Sequence, residues 1–229
     1  MRAPVSVIIP TINAQSHLPK LLASLFEGLD AGLIREVIVP DGGSSDKTCE
    51  IACKAGCIVI QAQFGRGAQI CEGLTKTTGD WCLILHADVE LSPGWSDEFG
   101  KYLTDKSVAW HFRLKFCSPA FMARVTEAWA NIRSSYFGLP YGDQGLLISK
   151  ETLKLLNGYS RIPLMEDVEM AIRLKGRLKK LPLVLVTDAQ RYEDNGWFIQ
   201  GAGNIWRLMR YMLGASPDAL AKGYNVPKL

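Results

Sequence analysis

The sequence predicts an α/β protein with a mostly parallel central sheet and helices on both faces. Three observations lead there. Over the first ninety residues, short aliphatic runs alternate with helical stretches of about ten residues, the pattern of parallel strands joined by helices. Each aliphatic run is followed by polar and turn-forming residues. The chain of 229 residues, with 48% hydrophobic and 21% charged residues, is long enough for one sizeable core and low in charge for a disordered segment.

Taken in order, VSVII (5–9) reads as a buried strand. LPKLLASLFEGL (18–29) has helical apolar spacing, with Ser16 as a candidate N-cap. IREVIVP (34–40) is a second strand. SSDKTCEIACKAG (44–56) fits a capped helix ending at Gly56. CIVIQA (57–62) is a third strand, GAQICEGLTKTTG (67–79) a third helix and DWCLILHA (80–87) a fourth strand. Beyond this, strands are expected at 108–116, 145–149 and 181–187, and helices at 119–137, 151–158 and 165–176. The stretch WFIQGAGNIWRLMRYMLG (197–214) is amphipathic and rich in Trp, Met and Arg. An apolar stripe of this kind usually packs on a core, so the sheet or a dimer interface is the expected partner, with a membrane surface as the alternative. No repeat or linker divides the chain. The expectation is one domain over 1–229: a nucleotide-binding half (1–90), an acceptor and catalytic half (91–190) and a helical tail (191–229).

Composition excludes several classes. The net charge of +3, without a Lys/Arg block, argues against a nucleic-acid partner. The first apolar run ends at Pro10, too short for a signal peptide, and no run approaches the ~18 apolar residues of a spanning helix. A cytoplasmic location is expected, with peripheral membrane contact through the tail as a variant. The six cysteines include the i,i+4 pair Cys49 and Cys53 but no CxxC, and the three histidines are scattered. Reduced thiols acting as small buried hydrophobes are expected, rather than a zinc site.

In an open parallel sheet, ligands bind beyond the carboxyl ends of the strands. Those ends carry Pro10, Thr11 and Asn13; then Asp41, Gly42, Gly43, Ser44 and Ser45; then Gly65 and Arg66; then His86, Ala87 and Asp88. Singly, each has an ordinary reading as a turn or a helix cap. Together they suit a nucleotide. Thr11, Asn13 and Asp41 would serve a base slot. Arg66, in a Gly-Arg-Gly loop that opens a helix, would approach phosphate, and Asp88 would hold a hard cation. Neither a P-loop nor a GxGxxG after a strand is present.

In this order, the motifs resemble family 2 glycosyltransferases of the GT-A fold. VSVIIPTIN resembles the family's first strand, VIVPDGGSSDKT its nucleotide-binding turn, and ILHADVEL its D-x-D metal motif. LNGYSRIPLMEDVEM resembles the segment bearing the catalytic acids, with Glu166 and Asp167 in the E-D positions. The details GRGAQ, LHAD, YGDQG, PLMED and GASPDALAKGYN resemble the radical-SAM/selenodomain-associated or arsenosugar-biosynthesis-type transferases. The resemblance implies a UDP- or GDP-linked sugar donor bound by Pro10, Thr11, Asn13, Asp41, Gly65, Arg66, Gln69, His86, Ala87, Asp88 and Arg191. It implies Mg²⁺ or Mn²⁺ on Asp88, and an acceptor side shaped by Tyr141, Gly142, Asp143 and Gln144. Asp167 would take a proton from the acceptor hydroxyl, which attacks the anomeric carbon from the opposite face and inverts it. The chain departs from the family at His86, in place of the first acid of D-x-D, and at Ala14, Gly42 and Cys71. The Q-x-x-R-W signature of processive synthases is absent, so a single transfer is expected. A non-catalytic nucleotide-sugar-binding protein and a nucleotidyltransferase are the alternatives.

Overall fold

The computed structural model describes residues 2–222. Strands β1 (Val5–Ile8), β2 (Ile34–Asp41), β3 (Ile58–Gln61), β4 (Trp81–Ile84), β5 (Val89–Leu91), β6 (Ala109–Phe116), β7 (Leu146–Ser149) and β8 (Leu178–Thr187) form one sheet in the order β3-β2-β1-β4-β7-β6-β8-β5. The first four pair in parallel. β7 then runs antiparallel to both β4 and β6, β6 and β8 are parallel, and β5 closes the edge antiparallel to β8.

The aliphatic runs of β1 and β4 are explained by burial on both faces. In β1, Val5 and Val7 join one core with Leu18, Leu21 and Leu25 of helix α1 (Leu18–Asp30). Ile8 joins the opposite core with Ile70 of α3 (Arg66–Leu74) and Met170 of α7 (Glu166–Arg173). Every residue of β1 and β4 is buried. Trp95, at the start of α4 (Trp95–Phe99), is 2% exposed and donates its indole N–H to the Ser24 carbonyl at 3.0 Å. This docks the turn at Pro93 and Gly94 against α1.

Several local expectations are corrected. Ser16 does not cap α1: the N-cap is His17, which makes no side-chain capping bond. Helix α2 (Thr48–Lys54) starts four residues later than expected from Ser44, and Asp46 rather than Ser44 or Ser45 takes its first amide, from Thr48 at 2.9 Å. Helix α3 stops at Leu74, not near 79. The Thr75 and Thr77 hydroxyls donate to the carbonyls of Glu72 and Leu74, at 2.7 and 2.9 Å, competing with the helix for its own acceptors. All six cysteines are free, yet only Cys82 is buried; Cys53 and Cys117 are exposed.

The later helices are α5 (Phe121–Phe137), α6 (Lys150–Leu155), α8 (Gln190–Asn195), α9 (Trp197–Met212) and α10 (Pro217–Lys222). β5 and α8 were not anticipated; both are too short to leave a periodic signal. Of the two expected partners of the α9 apolar stripe, the sheet or a dimer interface, the sheet is corrected: the one buried residue of α9 is Gln200, while Phe198, Trp206 and Met212 are exposed. The end of the expected tail, 223–229, lies outside the described residues.

Candidate active site

β4 ends at Ile84, Leu85 is fully buried, and His86 is the first residue to reach a cleft of about 450 Å³ beyond the strand ends. Asp88 and Asp167 both line this cleft, with Arg66, Tyr141, Gly142 and Asp143. Asp88 is exposed. Its carbonyl accepts the Asp188 amide at 3.1 Å, which ties the segment after β4 to the segment after β8.

Asp167 sits in the first turn of α7, where Met165 enters with φ 66°. Its carboxylate accepts two backbone amides, from Gly142 at 2.6 Å and from Val168 at 2.7 Å. These two bonds fix the direction in which the carboxylate points. Its neighbour Glu166 is 1% exposed and turns inward, away from the cleft, toward Ile70, Ile84 and Tyr159. Burial pushes the Glu166 carboxyl up to about 7, opposed by Arg66. The Arg66 Nε lies 2.9 Å from Glu166 Oε1, off the line of a good hydrogen bond, so the contact acts through charge.

Arg66 also approaches His86, with Nη1 3.3 Å from Nε2. A guanidinium only donates, so Nε2 accepts and the ring proton resides on Nδ1. Burial, and then the charge of Arg66, hold the imidazole neutral down to about pH 4. His86 therefore brings no charge to the cleft. Its ring sits close against Gly142, where a Cβ would stand 2.1 Å from Nε2. Glu166, Arg66, His86, Gly142 and Asp167 thus form one connected chain across elements that are far apart in sequence.

Next to Gly142, the Arg133 guanidinium stacks 3.2 Å from the centre of the Tyr141 ring. Burial, less the pull of Arg133 and with repulsion from Asp88 and Asp167, raises the Asp143 carboxyl to about 6. Gln144 is fully buried and does not line the cleft; its amide donates to Ser134 Oγ at 2.9 Å and to the Phe112 carbonyl at 3.3 Å. It supports the Gly142–Asp143 turn from beneath.

The expected base slot is a closed network. Asp41 is 4% exposed, and its carboxylate accepts the Gly43 and Ser44 amides at 2.9 and 2.8 Å, the Ser44 hydroxyl, and the Thr11 hydroxyl at 3.3 Å. Gln69 is 3% exposed, and its Nε2 donates to the Thr11 and Pro40 carbonyls at 2.6 and 2.9 Å. Asn13, at φ 47°, accepts the Ser45 amide at 2.9 Å. Pro10, Thr11, Asn13, Asp41, Gly65, Gln69 and Ala87 do not line the cleft. Thr11, Asn13, Asp41 and Gln69 instead tie together the ends of β1 and β2. Arg191 does line it, from α8.

Sequence reasoning missed the third wall. His17, whose Nδ1 is 3.5 Å from an Asp188 carboxylate oxygen, stands at its edge. Gln200, Asn204 and Arg207 of α9 face the same cleft, joined to Tyr192 and Asn195 through side-chain hydrogen bonds of 2.9 to 3.3 Å. Their i, i+4, i+7 spacing was the available signal: a polar stripe on an otherwise apolar helix. Among the described residues, no group of three or more His, Cys, Asp or Glu side chains is placed to hold a metal by itself.

The mixed sheet, with a cleft at its strand ends, has the GT-A architecture. The glycosyl transferase family 2 model matches residues 6–152, and the chain belongs to that family. It is 32% identical over 98 residues to undecaprenyl-phosphate 4-deoxy-4-formamido-L-arabinose transferase of Salmonella paratyphi B. That match covers 39% of this chain but 30% of the relative, so the two share less than a third of the relative's length. Among solved structures, the chain resembles S. aureus TarS (TM-score 0.61, 18% identity, 93% of this chain and 66% of that one). It also resembles glucosyl-3-phosphoglycerate synthase of Mycobacterium tuberculosis crystallised with Mn²⁺, UDP and glucosyl-3-phosphoglycerate (TM-score 0.58, 21% identity, 81% and 70%). At these identities the likeness concerns the fold.

Proposed function

We propose that this protein transfers a sugar from a nucleotide-diphosphate donor to an acceptor hydroxyl in one inverting displacement, as a single-transfer enzyme. One observation carries the reading: Asp88 and Asp167, distant in sequence, line the same cleft. Asp167, held by two amides and at the helix N-terminus, is the base. An acceptor hydroxyl within hydrogen-bond reach gives it a proton as the oxygen attacks. Arg66, steadied by Glu166 and His86, faces the donor diphosphate, with Arg191 closing from α8. Tyr141, Gly142 and Asp143 shape the acceptor side, and Glu166 acts through Arg66 as a positioning residue. In this reading 1–90 holds the donor and 91–190 the acceptor.

The residues fit a divalent cation that is shared with substrate. Asp88 offers one exposed carboxylate and His86 a neutral ring, with no complete cage. Mg²⁺ and Mn²⁺ characteristically bind one or two carboxylates together with substrate phosphates and water. Such a cation would neutralise the charge that grows on the departing diphosphate. The solved glucosyl-3-phosphoglycerate synthase complexes, with Mn²⁺ or Mg²⁺ and UDP, support this choice of cofactor and make a UDP-sugar the first donor to test. The motifs GRGAQ, LHAD and PLMED support membership of the radical-SAM/selenodomain-associated subgroup.

The test is transfer or slow hydrolysis of a panel of UDP- and GDP-sugars with Mn²⁺. Asp88→Ala should lose metal-dependent turnover, and Asp167→Asn should lose turnover while still binding donor. Full turnover in both variants would sink the mechanism. Tight donor binding by the unaltered protein, with no product from any acceptor, would favour a binding protein instead. Pyrophosphate release from a nucleoside triphosphate would favour a nucleotidyltransferase.

A further inference from the structure

We propose that Leu220 is a positioning residue for Asp167, acting through Met165, which gives the GASPDALAKGYN stretch (214–225) a part in holding the active site. The inference rests on the reading of Asp167 as the base. Its starting point is Met165, the residue that turns the chain into α7, whose backbone is left-handed at φ 66° and ψ 21°. Among the described residues, the other positive φ angles outside glycine belong to Asn13 and Asn157, and asparagine tolerates this region. For methionine the conformation costs energy and persists only where the surrounding packing imposes it. The turn also lies beyond the span 6–152 that the family shares.

That packing comes from α9 and α10. Met165 is 8% exposed and shares one buried apolar cluster with Leu164, Val168 and Leu220. Leu208 and Tyr211 of α9 pack against the same cluster, with Ala215 and Ala221. α10 has six residues, too few to hold a helix in water by itself. Leu220, at 2% exposure, is its one buried residue, while Asp218 and Ala219 are exposed. Leu220 is therefore the side chain by which α10 docks. Local capping delivers it there. Gly214, at φ 93°, turns the chain back after α9, with the Gly214 amide on the Tyr211 carbonyl and the Ala215 amide on the Arg210 carbonyl, both at 2.9 Å. The Ser216 hydroxyl then accepts the Ala219 amide at 3.3 Å. From Met165 the path to the base is short. The Met165 carbonyl accepts the Glu169 amide at 2.9 Å within the first turn of α7, and from that turn Asp167 meets the Gly142 amide at 2.6 Å. Relaxation of Met165 to an ordinary backbone would rotate the entry to α7 and carry Asp167 off that amide. Leu220 does not line the cleft, so it acts only through this packing.

The test compares Leu220→Ala with the conservative Leu220→Met in the full chain. Leu220→Ala should lower kcat for sugar transfer about 100-fold, the effect of a base displaced by ~1 Å. The donor KM should move less than about twofold, because Arg66 is held separately by Glu166 and His86. Leu220→Met refills the volume and should recover most of kcat. Amide hydrogen exchange supplies a readout that needs no substrate. The Gly142 amide, bonded to Asp167, should exchange at least about tenfold faster relative to the Leu85 amide, which is bonded to the Ile8 carbonyl at 3.0 Å. Leu220→Val, a gentler truncation, reads the same ratio if the alanine variant does not fold. Gly142 and Leu85 changing alike, or a methionine variant as slow as the alanine one, would make Leu220 merely structural and overturn the proposal. Full kcat in Leu220→Ala would also overturn it. Full turnover by Asp167→Asn would instead remove the base reading, and a raised exchange ratio would still show that Leu220 holds the bond between Asp167 and Gly142.

Discussion

Alanine at position 142 would put a methyl carbon 2.1 Å from Nε2 and 2.4 Å from Cε1 of His86, where ordinary contact begins near 3.4 Å. The shortfall is 3.4 − 2.1 = 1.3 Å. Gly142 is not among the residues at positive φ, so its backbone accepts alanine and only the contact opposes the change. His86 is not free to yield, because Arg66 meets its Nε2 at 3.3 Å. Either the ring swings and breaks that contact, or the 142–144 turn withdraws. Withdrawal removes the amide that Asp167 accepts at 2.6 Å. Overpacking of this kind costs about 1–3 kcal/mol, which for a chain of this size is a fall of about 2–12 °C in melting temperature. A displacement of the base by ~1 Å costs about 100-fold in rate. Gly142→Ala should therefore lower both thermal stability, read by calorimetry, and turnover of the best nucleotide sugar. A variant within one degree of the unaltered protein on melting, at full turnover, would show that the Gly142–His86–Asp167 contact does not hold the base.

Gly201→Ala is the opposite case: nothing lies within 4 Å of the added carbon in α9, so helix propensity should stabilise by about 0.5–1 kcal/mol, seen as a higher urea midpoint. Gly67→Ala brings a carbon to 2.3 Å from the Ser160 carbonyl and 2.5 Å from that of Ile162; a loss of about 1–3 kcal/mol is expected, and an unchanged urea midpoint would refute this packing of α3. Asp143 keeps its proton in the folded state up to about 6, against 3.8 when unfolded. The unfolded chain releases that proton first, so this group's contribution to stability falls as pH rises from about 4 to 6. Asp143→Asn should remove about 1–3 kcal/mol of that fall, after discounting for solvent in the cleft; parallel urea curves for the two proteins at pH 4.5 and 6.5 would contradict it.

How much was legible depended on where the cause resided. β1 and β4 could be read because burial on both faces makes the run itself apolar, as in Val5 to Ile9, whereas β3 is an edge strand read from its aliphatic residues alone. The placement of Asp88 and Asp167 was legible because strand ends and helix starts have local signatures. Gln69 and Gln144, expected as ligand contacts, are buried and do not line the cleft. Their amides look free in sequence, but folding brings them to backbone carbonyls from other strands, where an unpaired polar group would be costly. β5 escaped notice because three residues carry no period.

Helix α9 shows the boundary most clearly. Its composition alone set the amphipathic stripe, since side-chain spacing along one helix is a property of that helix. Which side faced inward was decided only by the assembled fold. Tyr192 and Asn195 of α8 bond to Asn204 and Gln200, which sets the polar stripe toward the cleft and leaves Trp206 and Met209 outward. The direction of a helix's polar side depends on how the preceding α8 is placed against the cleft, and that placement is a property of the assembled fold.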